Sequence, residues 1–219
     1  MNLCAVRGLI ATINFAVLRA LYSIDCEIEG WLTGERPKIV RSGTLRRKGW
    51  NKLAKIITGN IWTLCTEEDW VVVTTNVGWR ESGLGIMGAG LAAQALRRWN
   101  WLEVLWGHHC MKFGQHTGIL IVPLYEGRPK GLLLTPTKVL NRANPHLSWR
   151  SKSSLPLIGT MLRALNGLAL NQEPLGGLDG RIMVPLLGCQ NGQLDEAVVL
   201  PLMEELLQAD GCIIVRRKY

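Results

Sequence analysis

The sequence predicts an α/β fold in which helices cover both faces of a central sheet, giving three layers. The first observation is the β-branched run from Val71 to Thr75, because continuous apolar residues are typical of a strand buried on both faces. The second is the alternation of short apolar runs with segments of helical periodicity between residues 55 and 217. Alternating strands and helices favour a sheet flanked by helices.

The first half of this region predicts four strands and one helix. Residues 55–61 form an apolar run that ends at Gly59-Asn60, and residues 70–76 form a second run that ends at Asn76. A helix is predicted over 88–99, and short strands over 117–124 and 131–135 are separated by a turn containing Gly127 and Pro129. We interpret His108-His109-Cys110, which follows Gly107, as a polar loop, in preference to a metal site.

The second half predicts two helices and two strands. A helix over 153–168 presents apolar residues at helical spacing, and a loop rich in Gly and Asp follows at 174–180. Residues 181–185 form a buried strand, residues 195–208 a helix, and residues 212–215 a last strand. We expect Asp195 to cap the helix that it opens.

The positive charge is concentrated in one segment. The net charge is +8, with 25 Lys and Arg against 17 Asp and Glu. Residues 36–55 hold eight of the basic residues and no acidic one, which leaves the remainder neutral. Such a segment can contact nucleic acid or an anionic membrane surface, and it can equally be a solvated linker.

The chain divides into an extension, residues 1–50, and a globular domain, residues 51–219. Residues 1–24 are mostly apolar with helical spacing, which predicts a packing or partner helix ahead of a peripheral membrane helix or a signal peptide. We therefore do not expect the protein to associate with a membrane. Six cysteines without a C-x-x-C pair argue against a disulfide framework or a zinc site and fit a reducing cytoplasm.

A glycine-rich loop joins the strand at 70–76 to the helix at 88–99. It holds five glycines: Gly78, Gly83, Gly85, Gly88 and Gly90. Glycines let backbone N–H groups approach a ligand closely, and a helix N-terminus favours anions. The loop therefore indicates a phosphate or diphosphate site. Its spacing matches neither the dinucleotide fingerprint nor the Walker A motif.

Four segments together resemble the macrodomain family over roughly residues 55 to 217. They are Ile57-Thr-Gly-Asn-Ile-Trp62, Thr74-Thr-Asn76, Gly85-Ile-Met-Gly-Ala-Gly-Leu-Ala92 and Pro185-Leu-Leu-Gly-Cys-Gln-Asn-Gly-Gln-Leu194. A fifth element, Thr135-Pro-Thr-Lys138 followed by Ser148-Trp-Arg-Ser151, is similar to phage and bacterial macrodomains. These include the antitoxins that remove ADP-ribose from DNA and the terminal ADP-ribose glycohydrolases.

The resemblance implies a macrodomain with a mixed central sheet that binds ADP-ribose or an ADP-ribosylated substrate, without metal or cofactor. It implies catalytic roles for Lys138 and Asn76. The residues implied to bind ligand are Asn60, Ile61, Thr75, Asn76, Gly85, Met87, Gly88, Ala89, Gly90, Leu91, Thr137, Gly188, Cys189, Gln190, Asn191, Gly192, Gln193 and Leu194. A bulky residue at Gly88 is expected to abolish binding.

Several positions depart from the family pattern. Asn60 replaces an acid that accepts a hydrogen bond from adenine, Gln190 and Gln193 replace glycines, and Gly192 stands where some hydrolases carry an acid. We expect hydrolysis of ADP-ribosyl linkages, including a 1″-phosphate, slightly ahead of recognition without turnover. A further alternative is an adaptor that binds nucleic acid or a membrane surface through residues 36–55. A cytoplasmic monomer is expected.

Overall fold

The structure, a computed structural model, describes residues 54–170 and 178–217. The predicted N-terminal helix, nearly all of the basic segment and most of the predicted 174–180 loop lie outside these residues. The division at residue 50 therefore stays a prediction.

Six strands and five helices follow one another along the described residues. The strands are β1 (Lys55–Thr58), β2 (Trp70–Asn76), β3 (Leu120–Pro123), β4 (Gly131–Lys138), β5 (Ile182–Pro185) and β6 (Cys212–Arg216). The helices are α1 (Ile61–Leu64), α2 (Gly90–Arg98), α3 (Leu102–Phe113), α4 (Leu155–Ala169) and α5 (Glu196–Leu206). Short 3₁₀ turns lie at Gly114–His116, Pro145–Arg150 and Gln190–Gly192.

The strands form one mixed sheet in the order β1-β6-β5-β2-β4-β3. Neighbouring strands are parallel except β3, which runs antiparallel to β4. The carboxyl ends of five parallel strands therefore meet at one edge of the sheet. In open α/β sheets this is the edge where ligands bind.

Hydrophobic side chains cover both faces of the sheet, as the alternating pattern of a strand requires. On one face Val71 and Val73 belong to a cluster with Trp106 of α3. On the other face Val72 belongs to a cluster with Ile158 of α4 and Val199 of α5. The predicted arrangement of three layers is confirmed. No helix in the described ranges has the length and apolar character needed to cross a membrane.

Helix α3 contradicts the predicted polar loop. His108, His109 and Cys110 lie within this helix, and Cys110 is completely buried. Burial raises the pKa of the Cys110 thiol to about 11. Gly107 sits in the helix interior because a Cβ there would overlap the backbone of Gly83 and lie 2.6 Å from the Gly85 nitrogen. The glycine marks a close contact between segments, and the prediction of a loop was wrong.

Two further boundaries differ from the predicted ones. β1 ends at Thr58, and Ile61 begins helix α1, whose first turn is capped by Asn60. β4 continues to Lys138, past the predicted end at residue 135. The predicted cap by Asp195 is confirmed, since its side chain accepts a hydrogen bond from the Ala197 N–H at 2.9 Å.

Candidate functional site

A cleft of about 670 Å³ opens at the carboxyl edge of the sheet. Its walls come from the segments that follow β1, β2, β4, β5 and β6 and from the first turns of α2. Most residues predicted to bind ligand line it. They are Asn60, Ile61, Thr75, Asn76, Met87, Ala89, Gly90, Leu91, Thr137, Lys138, Gly188, Cys189, Gln190, Asn191, Gly192 and Gln193.

Three residues predicted to bind ligand lie outside the lining. Gly85 is buried against Trp106, and its N–H donates to the Glu103 carbonyl at 2.7 Å, so it has a packing role. Leu194 packs against the core beneath α4 and α5. Gly88 is exposed, and a Cβ there would meet no atom within 4 Å. The loss of binding expected for a bulky residue at Gly88 stays a prediction, since Gly88 is not among the lining residues.

Lys138 is the chemically most distinctive side chain of the cleft. It is 5% exposed, and its Nζ donates to the Trp149 carbonyl at 2.6 Å and the Asn191 carbonyl at 3.1 Å. Within the ranges 54–170 and 178–217, no salt bridge joins it to a carboxylate. Burial lowers the pKa of the Lys138 amine below its ordinary value. A buried amine of this kind is easier to deprotonate and to use as a nucleophile.

Asn76 lies beside Lys138, because the two residues are register partners at the ends of β2 and β4. The Trp106 indole N–H donates to the Asn76 carbonyl at 2.9 Å and fixes the end of β2. Nearby, the Thr137 hydroxyl donates to the Thr75 carbonyl at 3.3 Å. The Thr75 hydroxyl is buried and finds no partner among the described residues, which leaves a hydrogen-bonding group at the cleft wall.

The two glycine-containing loops meet across the cleft. Gly90, the first residue of α2, has φ of +59°, a conformation that favours glycine. A Cβ at Gly90 would lie 3.0 Å from the Asn191 side-chain nitrogen of the opposite loop. Gln190 and Gln193 have φ of +60° and +59° and so keep a glycine-like backbone despite their side chains. This arrangement brings backbone amides of both loops to the centre of the cleft, where a diphosphate can be bound.

The charged side chains of the lining are all cationic. They are Lys138, Arg150 and Arg217, and no Asp or Glu among the described residues lines the cleft. Arg217 and Gln94, which lies on the cleft side of α2, were not predicted from the sequence. Arg150 and Trp149 were predicted only as part of the motif at 148–151. The position of Arg217 two residues after the last predicted strand was the available signal, since strand ends form this edge.

Comparisons with known proteins identify the architecture. The Mycobacterium tuberculosis DarG macrodomain is 24% identical with a TM-score of 0.53, and the alignment covers 74% of this chain and 97% of that one. The Thermus aquaticus DarG macrodomain is 22% identical with a TM-score of 0.57, and the alignment covers 76% of this chain and 99% of that one.

A third solved structure, Thermosipho africanus DarTG in complex with ADP-ribose, is 20% identical with a TM-score of 0.57. The alignment covers 77% of this chain but only 44% of that longer one. No family model and no curated protein matches the sequence. The strand order, the cleft at the carboxyl edge and these structural similarities agree, and the chain has the macrodomain fold.

Proposed function

We propose that the cleft binds ADP-ribose and that the protein hydrolyses ADP-ribosyl linkages, with Lys138 as the catalytic residue. One observation carries this proposal. Lys138 is buried at one end of a cationic cleft, and no carboxylate among the described residues pairs with it. The ADP-ribose bound in the structurally similar DarTG supports the choice of ligand.

The dimensions of the cleft suit an elongated ligand. It extends along the sheet edge from the end of β1 to the end of β4, across β6, β5 and β2. Four strand spacings correspond to roughly 19 Å. The loops at Gly90 and Asn191 lie between these ends, so a diphosphate would bind at the centre, with adenosine on one side and the distal ribose on the other. Placing the distal ribose beside Lys138 and Asn76 leaves the base at the β1 end, beside Asn60.

The proposed reaction begins with attack of the neutral Lys138 amine on C1 of the distal ribose. A C1–N bond forms as the bond from C1 to the acceptor breaks, and the acceptor leaves with the bonding electrons and a proton from the nitrogen. Water then adds to C1, the C1–N bond breaks, and the free amine and ADP-ribose are released. Asn76 orients the ribose through its amide, which offers donors and an acceptor to hydroxyl groups.

Binding is tested by calorimetric titration of the full chain with ADP-ribose, with AMP as the comparison ligand. Selective binding of ADP-ribose is expected, because AMP lacks the second phosphate and the distal ribose. Equal affinity for the two ligands, or binding of neither, would contradict the proposed ligand.

A second candidate function is recognition of ADP-ribose without turnover. It is favoured by the absence of a carboxylate from the cleft lining within the described part of the chain, since no side chain there can activate water as an anionic base. Incubation with ADP-ribosylated protein, ADP-ribosylated DNA and ADP-ribose 1″-phosphate separates the two functions. Release of ADP-ribose that is lost in Lys138→Ala supports hydrolysis. Retained binding without release from any of the three supports recognition.

A further inference from the structure

Ser148 is the only buried residue in the connection between β4 and α4. The structure describes all of residues 139–152, and every other side chain among them is exposed or half-buried. Trp149 is 49% exposed, so packing of its ring in the core does not fix its backbone. The position of this backbone matters, because the Trp149 carbonyl accepts a hydrogen bond from the Lys138 Nζ at 2.6 Å.

The Ser148 hydroxyl makes two hydrogen bonds inside this connection. Its Oγ accepts the Asn141 N–H at 2.9 Å and donates to the Pro145 carbonyl at 2.8 Å. A hydroxyl offers one donor and two acceptor lone pairs, so both bonds can form at once. They join the start of the connection to the 3₁₀ turn Pro145–Arg150, which carries the Trp149 carbonyl. Ser148 thereby closes the turn immediately before Trp149.

The same turn lies directly against the backbone of Gly78, two residues after Asn76. A Cβ at Gly78 would overlap the Pro145 carbonyl oxygen and would lie 3.0 Å from the Ser148 Oγ and 3.1 Å from its Cβ. No side chain therefore separates the turn from the segment that leaves β2. This contact and the two hydrogen bonds of Ser148 hold the turn beside the ends of β2 and β4.

Two carbonyls bonded to Lys138 define the direction of its lone pair. One belongs to Trp149, and the other to Asn191, at 3.1 Å from the Nζ. A neutral amine has two N–H groups and one lone pair in a tetrahedral arrangement, so these carbonyls can accept both N–H groups. The lone pair then occupies the one remaining position, from which the amine attacks. Without the Trp149 carbonyl, rotation about the Cε–Nζ bond would turn the lone pair into other staggered positions.

We propose that Ser148 is a positioning residue, which holds the Trp149 carbonyl against the Lys138 amine and so orients the amine towards C1 of the distal ribose. This inference rests on the proposed function, in which Lys138 is the nucleophile. Attack requires reacting atoms roughly 3–3.5 Å apart with aligned orbitals. Loss of the orientation therefore slows the attack, while the contacts of the diphosphate and the ribose remain.

The test compares the parent with Ser148→Ala in the release of ADP-ribose from the substrate that the parent cleaves. We expect kcat to fall about tenfold and KM to change less than twofold, because the hydroxyl acts on the attack and not on binding. Calorimetric titration of the variant with ADP-ribose should give one site per chain with the affinity of the parent. A number of sites that falls in proportion to kcat would assign the loss to unfolding and overturn the inference.

A matched control and a milder variant complete the test. Thr160→Ala removes a hydroxyl that donates to the Pro156 carbonyl at 3.1 Å, at an exposed position of α4 outside the cleft, and should leave kcat unchanged. Ser148→Cys keeps a side chain of similar size that forms weaker hydrogen bonds, so its kcat should lie between those of the parent and Ser148→Ala. If Ser148→Ala does not fold, a kcat of Ser148→Cys equal to that of the parent would overturn the inference.

The outcomes separate this inference from the proposed function. Release of ADP-ribose that is lost in Lys138→Ala and undiminished in Ser148→Ala would refute only the positioning role. Absence of release by the parent from ADP-ribosylated protein, ADP-ribosylated DNA and ADP-ribose 1″-phosphate would refute the proposed hydrolysis, and this inference with it.

Discussion

Gly192 lies so close to Ser153 that a side chain at position 192 requires Ser153 to shift. A Cβ there would overlap the Ser153 Oγ and lie 3.1 Å from its Cβ, and the Ser153 N–H donates to the Gly192 carbonyl at 2.9 Å. An acid at this place, as some hydrolysing macrodomains carry, would therefore displace the Ser153 side chain. The glycine reflects packing beneath the second loop.

We expect Gly192→Ala to lower the free energy of unfolding by about 2 kcal/mol, in the range of overpacked cores. Ser153→Gly should restore part of the loss in the double variant, because it removes both clashing atoms. Ser153→Ala should cost little, since the buried hydroxyl has no hydrogen-bond partner among the described residues. Urea unfolding of the four proteins measures these effects. A Gly192→Ala variant as stable as the parent would show that the loop adjusts freely.

Gly90 and Gly88 form a matched pair for testing the first loop. Gly90 has φ of +59° and lines the cleft, while Gly88 is exposed and faces open space. Gly90→Ala should destabilise the protein by about 1 kcal/mol and weaken ADP-ribose binding, because it strains the backbone and adds a Cβ near Asn191. Gly88→Ala should change neither quantity. Calorimetric titration and thermal unfolding give both readouts, and equal losses in the two variants would contradict the placement of Gly88 outside the cleft.

Lys138→Arg separates a nucleophilic role from an electrostatic one. Arginine keeps the positive charge and is not deprotonated in proteins, so the variant should lose turnover while retaining ADP-ribose affinity within a few-fold. Release of ADP-ribose measured for parent, Lys138→Arg and Lys138→Ala tests this expectation. Substantial turnover by Lys138→Arg would show that the side chain acts only as a cation.

The turnover rate of the parent should rise with pH, with a midpoint below pH 10.5. Burial lowers the pKa of the Lys138 amine below the ordinary 10.5, so the neutral, reactive form becomes dominant at a lower pH than for an exposed lysine. A rate profile from pH 6 to pH 10 measures the midpoint. A rate that is flat or falls over this range would argue against the neutral amine as nucleophile.

Asp69 should make the stability of the domain sensitive to acid. Its buried carboxylate accepts hydrogen bonds from the Arg181 Nε at 2.7 Å, the Arg181 Nη2 at 2.9 Å and the Thr66 N–H at 2.7 Å. Burial by itself would raise the pKa of Asp69, but these hydrogen bonds outweigh it and lower the pKa below 3.8. The stabilisation is therefore present above pH 3.8 and is lost as pH falls through the folded-state pKa.

Asp69→Asn should cost about 2 kcal/mol at pH 7, below the range for fully buried pairs because half of the Arg181 side chain is exposed. The cost should shrink as pH falls through the folded-state pKa of Asp69, because the parent then loses the same interactions. Asp179→Asn is the control, since the Asp179 side chain is 83% exposed and pairs with Lys130 at the surface. Urea unfolding at several pH values tests both. A pH-independent cost at Asp69 would contradict the role of its charge.

The parts of the fold that follow a simple periodicity were predictable from the sequence. The bounds of β2 agree with the predicted 70–76, because its apolar run is continuous and ends at a polar residue. Helix α3 was missed because Gly107 and the two histidines after it look like a loop, although the glycine serves a contact between distant segments. Local pattern carries no information on such a contact.

In the candidate site, too, local sequence patterns were predictable and contacts between distant segments were not. The loops were predictable because their glycines follow strands in a characteristic order, and most of their residues line the cleft. Gly85 was assigned to ligand binding for the same reason, yet it packs against Trp106 outside the cleft lining. Gly192 lines the cleft and also packs against Ser153. The hydrogen bonds from Trp62 to the Asn60 and Gln94 oxygens were not predictable, because they depend on Trp62 lying between two segments that are far apart in sequence.

The contact between Gly107 and the segment Gly83–Gly85 constrains how the protein can evolve. A Cβ at Gly107 would overlap the Gly83 carbonyl, and a Cβ at Gly85 would lie 2.9 Å from the Gly107 nitrogen. The Gly85 N–H also donates a hydrogen bond to the carbonyl of Glu103, which lies one turn before Gly107. A side chain at either position would push α3 away from the loop that leads to Gly90. In related sequences we therefore expect positions 85 and 107 to change together or to stay glycine. We also expect that an insertion in either segment would disrupt the cleft.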